Sequence, residues 1–575
     1  MILHALQDYY ERKADDPNSE IAPFGWEHKE IPFIVVLDQD GGLVGIEDTR
    51  EGEGRNKRAK SFLVPQGVKK TSGIAANLLW DVAGYVFGLD VKNNPERALQ
   101  QKEAFIGRLV SELDAIPIIQ FVIDFLQNVS LAELEQLACW EEIVKINPNL
   151  SFRLHGTSSL VCRHPEVVDR LSNKQALTNA DLAGTCLVTG KSAEVKTLHT
   201  AIKGVYGAQT MGANIVSFNL DAFRSYGKSQ GQNAPIGVES EFAYTTALNT
   251  LLRRESKQRL LIGDATTVFW AKEQTVFESD FTAFFEEPQK SNPDSGTQKI
   301  RALFESLHSG VYLESDGTIP FYILGLSPNA SRISIRFWQE GTVSDFALRI
   351  KQYFEDFSIT KPAREPEYYS VWRILVNVAT QDKSENIPPN LAGDFMRSIL
   401  TGTPYPATLL QAALRRIKSD TEHRVKPVRA ALIKAYLNRY YQAYPNRKFK
   451  EVEMELDRQQ PSIGYNLGRL FAALEKIQEE ANPGINATIR ERFYGAACAT
   501  PVTVFPNLLR LKNHHLAKME NKGRVVNLER LLGEIIGKFN DFPAHLNLHE
   551  QGHFAIGYYH QRQEFFSKKE TTETA

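Results

Sequence analysis

Near Phe346 the sequence changes its pattern. Before this point, β-branched and aromatic runs of strand length recur between turn residues; after it they stop, and helical segments follow one another. Pro and Gly separate these segments, because both residues disfavour a helix interior. The separating residues are Pro388, Pro389, Gly402, Pro445, Pro461, Pro483, Gly484, Pro501, Pro506, Gly523 and Pro543. We therefore predict an α+β fold, with a mixed α/β N-terminal half followed by an all-α, helical-bundle C-terminal half.

The N-terminal half contains several predicted strands. Ile31–Leu37 and Leu43–Ile46 are apolar and flank the turn Asp38–Gly42, which predicts a β-hairpin. Ile215–Asn219 has the composition of a buried strand, and a helix is predicted from Glu239 to Leu252. Four further strands are predicted at Leu260–Ile262, Thr266–Trp270, Phe321–Leu324 and Ile333–Phe337.

The length of 575 residues predicts roughly two to four domains. We divide the chain into an N-terminal α/β region at 1–180, a mixed α/β core region at 181–345 and a helical domain at 346–575. Within the helical domain, residues 454–575 have their own periodic apolar positions and form a predicted small bundle.

The overall charge and the cysteines exclude some classes of protein. The net charge is −2, so a nucleic-acid site must depend on local patches of positive charge. The four cysteines lie far apart without a CxxC pair, which predicts a reducing compartment and no structural zinc framework. No signal peptide or membrane-spanning run is evident, so we expect a cytoplasmic protein without membrane partners, cofactor or metal.

The best local candidate for anion binding is the segment Gln66–Asn77. It contains two lysines, two hydroxyl residues and an amide, and a helix is predicted to begin near Gly73. The free N–H groups of such a helix start would favour a phosphate. The alternative is a capped helix with solvated lysines. The candidate DNA-binding residues are Lys69, Lys70, Thr71, Ser72 and Asn77.

Two further segments suit nucleic acid. The loop Gly231–Pro235 offers Gln232 and Asn233 as hydrogen-bonding side chains, unless it is only a solvated surface loop. Arg415–Lys450 is strongly basic with interleaved tyrosines, which suits a nucleic-acid track or an amphipathic helix with a solvated basic face. The candidate track residues are Arg415, Arg416, Lys426, Arg429 and Arg439.

Enzyme signatures are incomplete. Gly190-Lys191-Ser192 resembles the end of a phosphate-binding P-loop, but the preceding glycine is wrongly spaced. His549, Glu550 and His553 match HExxH, the zinc-peptidase pattern, yet the longer pattern is out of register and Gly552 weakens the helix. We predict a non-catalytic scaffold, with a zinc metallopeptidase and a scaffold that binds only proteins as the alternatives.

Long motifs also carry a resemblance to a known family. They include MILHALQDYYERK at the start, VTGKS from Val188, LHTAIKGVYGAQTMGANIVSFN from Leu198 and YTTALNTLL from Tyr244. Further along come GDATTVFWA from Gly263, FYILGLSPNASRISIRFW from Phe321 and FAIGYYHQRQ from Phe554. Together they resemble the large subunit of the type I-C CRISPR Cascade effector complex.

The resemblance implies an RNA-guided surveillance function. Such subunits bind target double-stranded DNA, recognise its short flanking motif (PAM), and help to unwind it and stabilise the R-loop while guide pairing reads the sequence. The implied partners are the crRNA-containing Cascade backbone, the other Cascade subunits and a helicase–nuclease that docks on the complex.

The resemblance also implies a second product of the gene. In type I-C systems the small subunit is made by internal translation of the large-subunit gene. Met454 is a suitable internal start, because Lys450-Glu451-Val452 can be encoded by a ribosome-binding sequence and Glu453 supplies a short spacer. Residues 454–575 are therefore the predicted small subunit.

Overall fold

The computed structural model describes residues 2–52, 57–68, 70, 73–90, 93–175, 183–262, 265–285, 305–310, 316–420, 425–445 and 450–566. The chain forms two compact units. Unit 1 comprises Met1–Gly204, Ala208–Arg253 and Pro328–Ile333. Unit 2 comprises Val205–Gly207, Arg254–Ser327 and Ser334–Ala575. The main division between the units lies at Arg253, inside the predicted 181–345 region.

Unit 1 is built on a four-stranded sheet with the order β3-β2-β6-β5. Strands β2 and β3 form the predicted hairpin, and β6 pairs with β2 in parallel because helices connect the two. Two small antiparallel ladders, β1–β4 and β7–β8, complete the strands of this unit. The strands are β1 Trp26–Glu30, β2 Phe33–Leu37, β3 Leu43–Asp48, β4 Ser61–Pro65, β5 Trp80–Val82, β6 Asn149–Leu154, β7 Ala183–Thr185 and β8 Ser192–Glu194.

Eight helices belong to unit 1 within the described ranges. They are α1 Ile2–Ala14, α2 Ala83–Phe87, α3 Pro95–Leu113, α4 Pro117–Asn128, α5 Leu131–Leu134, α6 Trp140–Ile146, α7 Pro165–Gln175 and α8 Val238–Leu251. The longest of these helices, α3, begins where its sequence predicts a helix start: the Asn94 side chain accepts a hydrogen bond from the Arg97 N–H, and Pro95 occupies the first turn. The apolar faces of α3 and α4 contribute Phe105 and Val122 to the core that covers the sheet.

Unit 2 contains a second four-stranded sheet, with the order β12-β11-β10-β9. Its strands are β9 Arg259–Ile262, β10 Ala265–Ala271, β11 Pro320–Asn329 and β12 Arg332–Thr342, the last two extending at their tip into residues of unit 1. All four were predicted from their composition. Helix α9, Phe277–Phe285, packs beside the sheet through aromatic contacts such as Phe269–Phe281 and Phe277–Phe321.

The remainder of unit 2 is helical. Its helices are α10 Val343–Asp356, α11 Val371–Val378, α12 Pro389–Thr401, α13 Ala407–Ser419, α14 Pro427–Ala443, α15 Ile463–Ala481, α16 Ile489–Ala499, α17 Phe505–Lys518, α18 Lys522–Ile536 and α19 Leu548–Phe566. One continuous apolar core joins them to the sheet. The α+β class and the helical C-terminal half are thus as predicted.

Two elements differ from the predictions. Ile215–Asn219 is irregular, and the backbone pairings just before it are the isolated bridges Ile202–Ala213 and Asn214–Arg332. No helix begins near Gly73: residues 73–79 are irregular and lead directly into β5.

Among the described residues, no helix has the length and apolar content that a membrane crossing requires. All four cysteines are free thiols.

Candidate nucleic-acid interface

The loop between β4 and β5 is organised by the buried carboxylate of Asp81. Its Oδ2 accepts a hydrogen bond from the Asn77 N–H at 2.8 Å, and its Oδ1 accepts one from the Val82 N–H at 2.7 Å. The Lys70 ammonium donates a hydrogen bond to the same Oδ1 at 2.5 Å. The Asn77 side-chain oxygen accepts from the Val68 N–H at 3.0 Å, which closes the loop. Asp81 thus fixes a loop that local composition predicted as a helix start.

The predicted residues of this loop differ in their surroundings. The Lys70 ammonium lies 3.7 Å from the centroid of the Tyr85 ring, and its side chain remains partly exposed. Asn77 is only 4% exposed, so its amide organises the loop. Lys69, Thr71 and Ser72 lie outside the described residues. Lys70 is therefore the described cation that this loop presents.

Lys29, which no sequence pattern indicated, lies within electrostatic range of both Lys70 and Lys203. Lys29 lies on β1, with its ammonium 4.8 Å from the centroid of the Trp80 ring. Burial lowers the pKa of Lys29, and the positive charges of Lys203 and Lys70 lower it further, while neighbouring carboxylates act in the opposite direction. Lys29 thus experiences the positive charges of two lysines from distant parts of the chain. Their sequence separation left no local signal.

The predicted amides Gln232 and Asn233 lie in a short 3-10 helix, Gln230–Asn233. Asn233 accepts a hydrogen bond from the Ser225 N–H at 3.0 Å, and its amide donates to the Gln230 carbonyl at 3.0 Å. Gln232 is exposed and accepts from the Ser229 N–H at 3.3 Å. Both side chains therefore hold the preceding loop in place. Neither amide is brought close to Lys70 by any described contact.

Three residues at the centre of the predicted basic track are paired with carboxylates of the protein itself. Arg429 is 0% exposed and donates to Asp382 at 3.0 Å and to Asp420 at 2.8 Å. Arg416 and Lys426 also donate to Asp382, at 3.3 Å and 2.6 Å. Burial disfavours ionisation of Asp382, but the Lys426 hydrogen bond and the three cations hold its pKa below the ordinary value. These charges are neutralised within the protein.

Arg439, also predicted for the track, is buried as well. Its guanidinium donates to the buried carboxylate of Asp356 at 2.6 Å and lies 4.4 Å from the Tyr405 ring centroid. The same carboxylate oxygen accepts from the Tyr405 hydroxyl at 2.8 Å. Arg415 is exposed. The segment does form helices, but four of the five predicted track residues, Arg416, Lys426, Arg429 and Arg439, pair with the carboxylate of Asp382 or Asp356 from distant parts of the sequence.

The zinc-peptidase alternative finds no support in the described residues. Glu550 accepts hydrogen bonds from the Ser462 hydroxyl at 2.8 Å and the Gly464 N–H at 2.6 Å, so it caps the start of α15. His553 bonds the Tyr441 hydroxyl at 3.0 Å, and burial lowers its pKa to about 3. The Nε2 atom of His549 lies 3.4 Å from the Tyr436 hydroxyl. No group of three metal-ligating side chains occurs in the described ranges.

Comparison with protein families gives a match over nearly the whole chain. A family model described as a CRISPR-associated protein (Cas_Csd1) matches residues 6–566. The match includes both units, from the first helix to the end of the last described one. A search of curated proteins found no significant match.

Proposed function

The chain belongs to the CRISPR-associated Cas_Csd1 family, and from this premise we propose that it is the large DNA-binding subunit of a type I-C Cascade complex. It recognises the PAM of target double-stranded DNA, helps to unwind the duplex, stabilises the R-loop and docks the helicase–nuclease. Its partners are the crRNA-containing backbone and the other Cascade subunits. It performs no catalytic step, because guide pairing supplies the sequence recognition and the helicase–nuclease supplies the cleavage.

The observation that carries this proposal is the placement of two ammonium groups beside β5: Lys70 bonds to Asp81, and Lys29 lies 4.8 Å from the centroid of the Trp80 ring, where the charge of Lys203 also acts on it. A protein of net charge −2 needs such a local concentration of cations to hold DNA. Asp81 fixes the position of Lys70 before any ligand binds, which lowers the entropic cost of contact. Lysines near one another can divide their roles between phosphates, which position the duplex, and base edges, which specify it.

Replacing Lys69 and Lys70 together by alanine is expected to weaken binding of a PAM-containing duplex. The loss should be about 1–3 kcal/mol for each base contact removed. The measurement is titration of the assembled complex with two duplexes that differ only in the PAM. A matched control is Lys57→Ala, because Lys57 pairs with Asp48 at the sheet edge opposite β5. A loss equal for both duplexes would make these lysines phosphate contacts, and no loss would exclude the loop from the site.

We also propose that residues 454–575 are made separately as the small subunit of the same complex. Met454 is exposed and lies in the irregular segment between α14 and α15, so a start there divides no helix. Helices α15 to α19 follow it and include the closely packed pair α15 and α19. The five helices thus form a bundle of the kind that small domains use.

Synonymous recoding of Lys450 to Val452 tests this second product. The full-length protein stays unchanged, but the ribosome-binding sequence is lost, so we expect the fragment of residues 454–575 to disappear. The measurement is an immunoblot with a C-terminal tag on the gene, and synonymous recoding of a segment within α10 is the control. Persistence of the fragment after recoding, or its absence from the native gene's product, contradicts internal initiation at Met454.

A further inference from the structure

One aromatic side chain in unit 1 is held almost completely in solvent. Tyr226 is 98% exposed, more than any other large apolar side chain in the described ranges, of which Met211 follows at 79%. A tyrosine usually buries its ring against its own protein, since the ring has a large apolar surface. Its full exposure therefore indicates a ring that is available to a ligand.

The backbone that presents Tyr226 is a tight turn. The Lys228 N–H donates to the Ser225 carbonyl at 2.9 Å, and Tyr226 and Gly227 have φ angles of 50° and 72°. Two successive positive φ angles are those of a type I′ turn, in which Asn, Asp or Gly is favoured at the first position. Tyrosine is strained there. If the only role of this segment were to form a turn, Asn, Asp or Gly would suit the position better than tyrosine.

Hydrogen bonds and close backbone packing fix the position of this turn. The Asn233 side chain accepts from the Ser225 N–H at 3.0 Å and donates to the Lys228 carbonyl at 3.3 Å, so it spans both ends of the turn. The Gly231 N–H donates to the Thr197 carbonyl at 3.2 Å. A Cβ on Gly231 would collide with the backbone of residues 196 and 197, so only glycine permits this approach. These contacts hold the Tyr226 ring outward and reduce the entropy that binding would cost.

The residues beside Tyr226 indicate the class of ligand. Arg224 and Lys228, two residues before and two residues after Tyr226 in the chain, are exposed cations, and Arg224 has Asp221 at 3.1 Å as its partner. An aromatic ring between cations matches a nucleobase between two phosphates, because the ring can stack on the base while the cations contact the backbone. The turn itself, residues 224–230, contains no other apolar side chain, whereas the centre of a protein-binding site is usually rich in them.

We infer that Tyr226 stacks on an unpaired base of the bound nucleic acid, with Arg224 and Lys228 on the adjoining phosphates. This inference rests on the proposed function, since it assigns a residue to the contact with opened DNA. It also gives Asn233 the role of a positioning residue, because its side chain fixes the turn from which Tyr226 projects. No base identity is read, since every base offers a face for stacking.

The test compares Tyr226→Asn with Tyr226→Phe in the full chain. Asparagine suits the φ of 50°, so the variant is expected to fold at least as well as the wild type, with an unchanged or raised Tm. Its affinity for a duplex with a single-stranded extension should fall about 5- to 100-fold, whereas Tyr226→Phe, which keeps the ring, should bind like the wild type. A 2-aminopurine in the extension reports stacking directly, because its fluorescence should be quenched by wild type and not by Tyr226→Asn.

The possible outcomes separate this inference from the proposed function. Failure of the wild type to bind either the forked or the fully paired duplex overturns both. Wild-type binding that Tyr226→Asn fully retains overturns the stacking role alone. Equal losses in Tyr226→Asn and Tyr226→Phe overturn it too, since the hydroxyl would then be the contact. Full DNA affinity combined with loss of Tyr226→Asn from the assembled complex would make the ring a protein contact.

Discussion

Replacing Gly468 by leucine is expected to unfold the C-terminal helices. Gly468 lies on α15 where this helix packs directly against α19, and an added Cβ would collide with the Phe554 carbonyl and lie 2.7 Å from the Tyr558 nitrogen. Both of these are backbone atoms of a helix, which cannot relieve the clash by a change of rotamer as a flexible side chain can. We expect the free energy of unfolding to fall by at least about 3 kcal/mol, measured as the shift in urea midpoint of the full chain.

The matched control for this change is Gly533→Ala. Gly533 is on α18 and has no atom within 4 Å of a Cβ built on it. Because alanine is the better helix former, the control should gain about 0.5–1 kcal/mol. A wild-type urea midpoint in Gly468→Leu would show that α15 and α19 do not approach as closely as described. Gly464 and Gly557 make equivalent contacts with backbone carbonyls of the facing helix.

Removing the carboxylate of Asp356 is expected to have a comparable effect. Asp356→Ala leaves the guanidinium of Arg439, which is 5% exposed, without the oxygen that now receives its Nε–H at 2.6 Å. The Tyr405 hydroxyl loses the same acceptor. Breaking a buried ion pair by removing one partner costs about 3–5 kcal/mol, because the remaining charge stays desolvated. Thermal and urea unfolding of the full chain measure the loss.

Two comparisons make this prediction specific. Arg415→Ala, an exposed cation from the same basic stretch, should change the free energy of unfolding by no more than about 0.5 kcal/mol. The double replacement Asp356→Leu with Arg439→Met should recover much of the loss, since it removes both charges together. If Arg439→Ala instead weakened DNA binding at unchanged stability, Arg439 would be a ligand contact and its buried pair with Asp356 would not form in solution.

The basic stretch also shows why composition is a poor guide to a binding surface. Arg415 to Lys450 combines cations and tyrosines as nucleic-acid tracks do, yet Arg416, Lys426 and Arg429 meet around the single carboxylate of Asp382. Asp382 lies on another segment, some thirty to fifty residues earlier in the chain. The composition of the stretch gives its excess of positive charge, but not the carboxylate that folding brings to it from another segment.

The candidate site was located from the sequence only in part. The segment Gln66–Asn77 was recognised from its lysines and turn residues, and Lys70 is the described cation that it exposes. The helix expected at Gly73 does not form, because the Asn77 N–H bonds the Asp81 carboxylate. Lys29 comes from a segment distant in the sequence and is subject there to the charges of Lys70 and Lys203. The strong exposure of Tyr226 likewise had no sequence signal beyond the Gly that follows it.

The sequence by itself determined the fold class, the β2–β3 hairpin, the strands of the second sheet and the succession of C-terminal helices. These follow from hydrophobic periodicity and from Pro and Gly at breaks, which act over a few neighbouring residues. Only the tertiary structure decided which charges face solvent, that Glu550 caps α15, and that Ile215–Asn219 is not a strand. Ion pairs, caps and strand pairing need partners from distant segments, and the short range over which local patterns act cannot specify those partners.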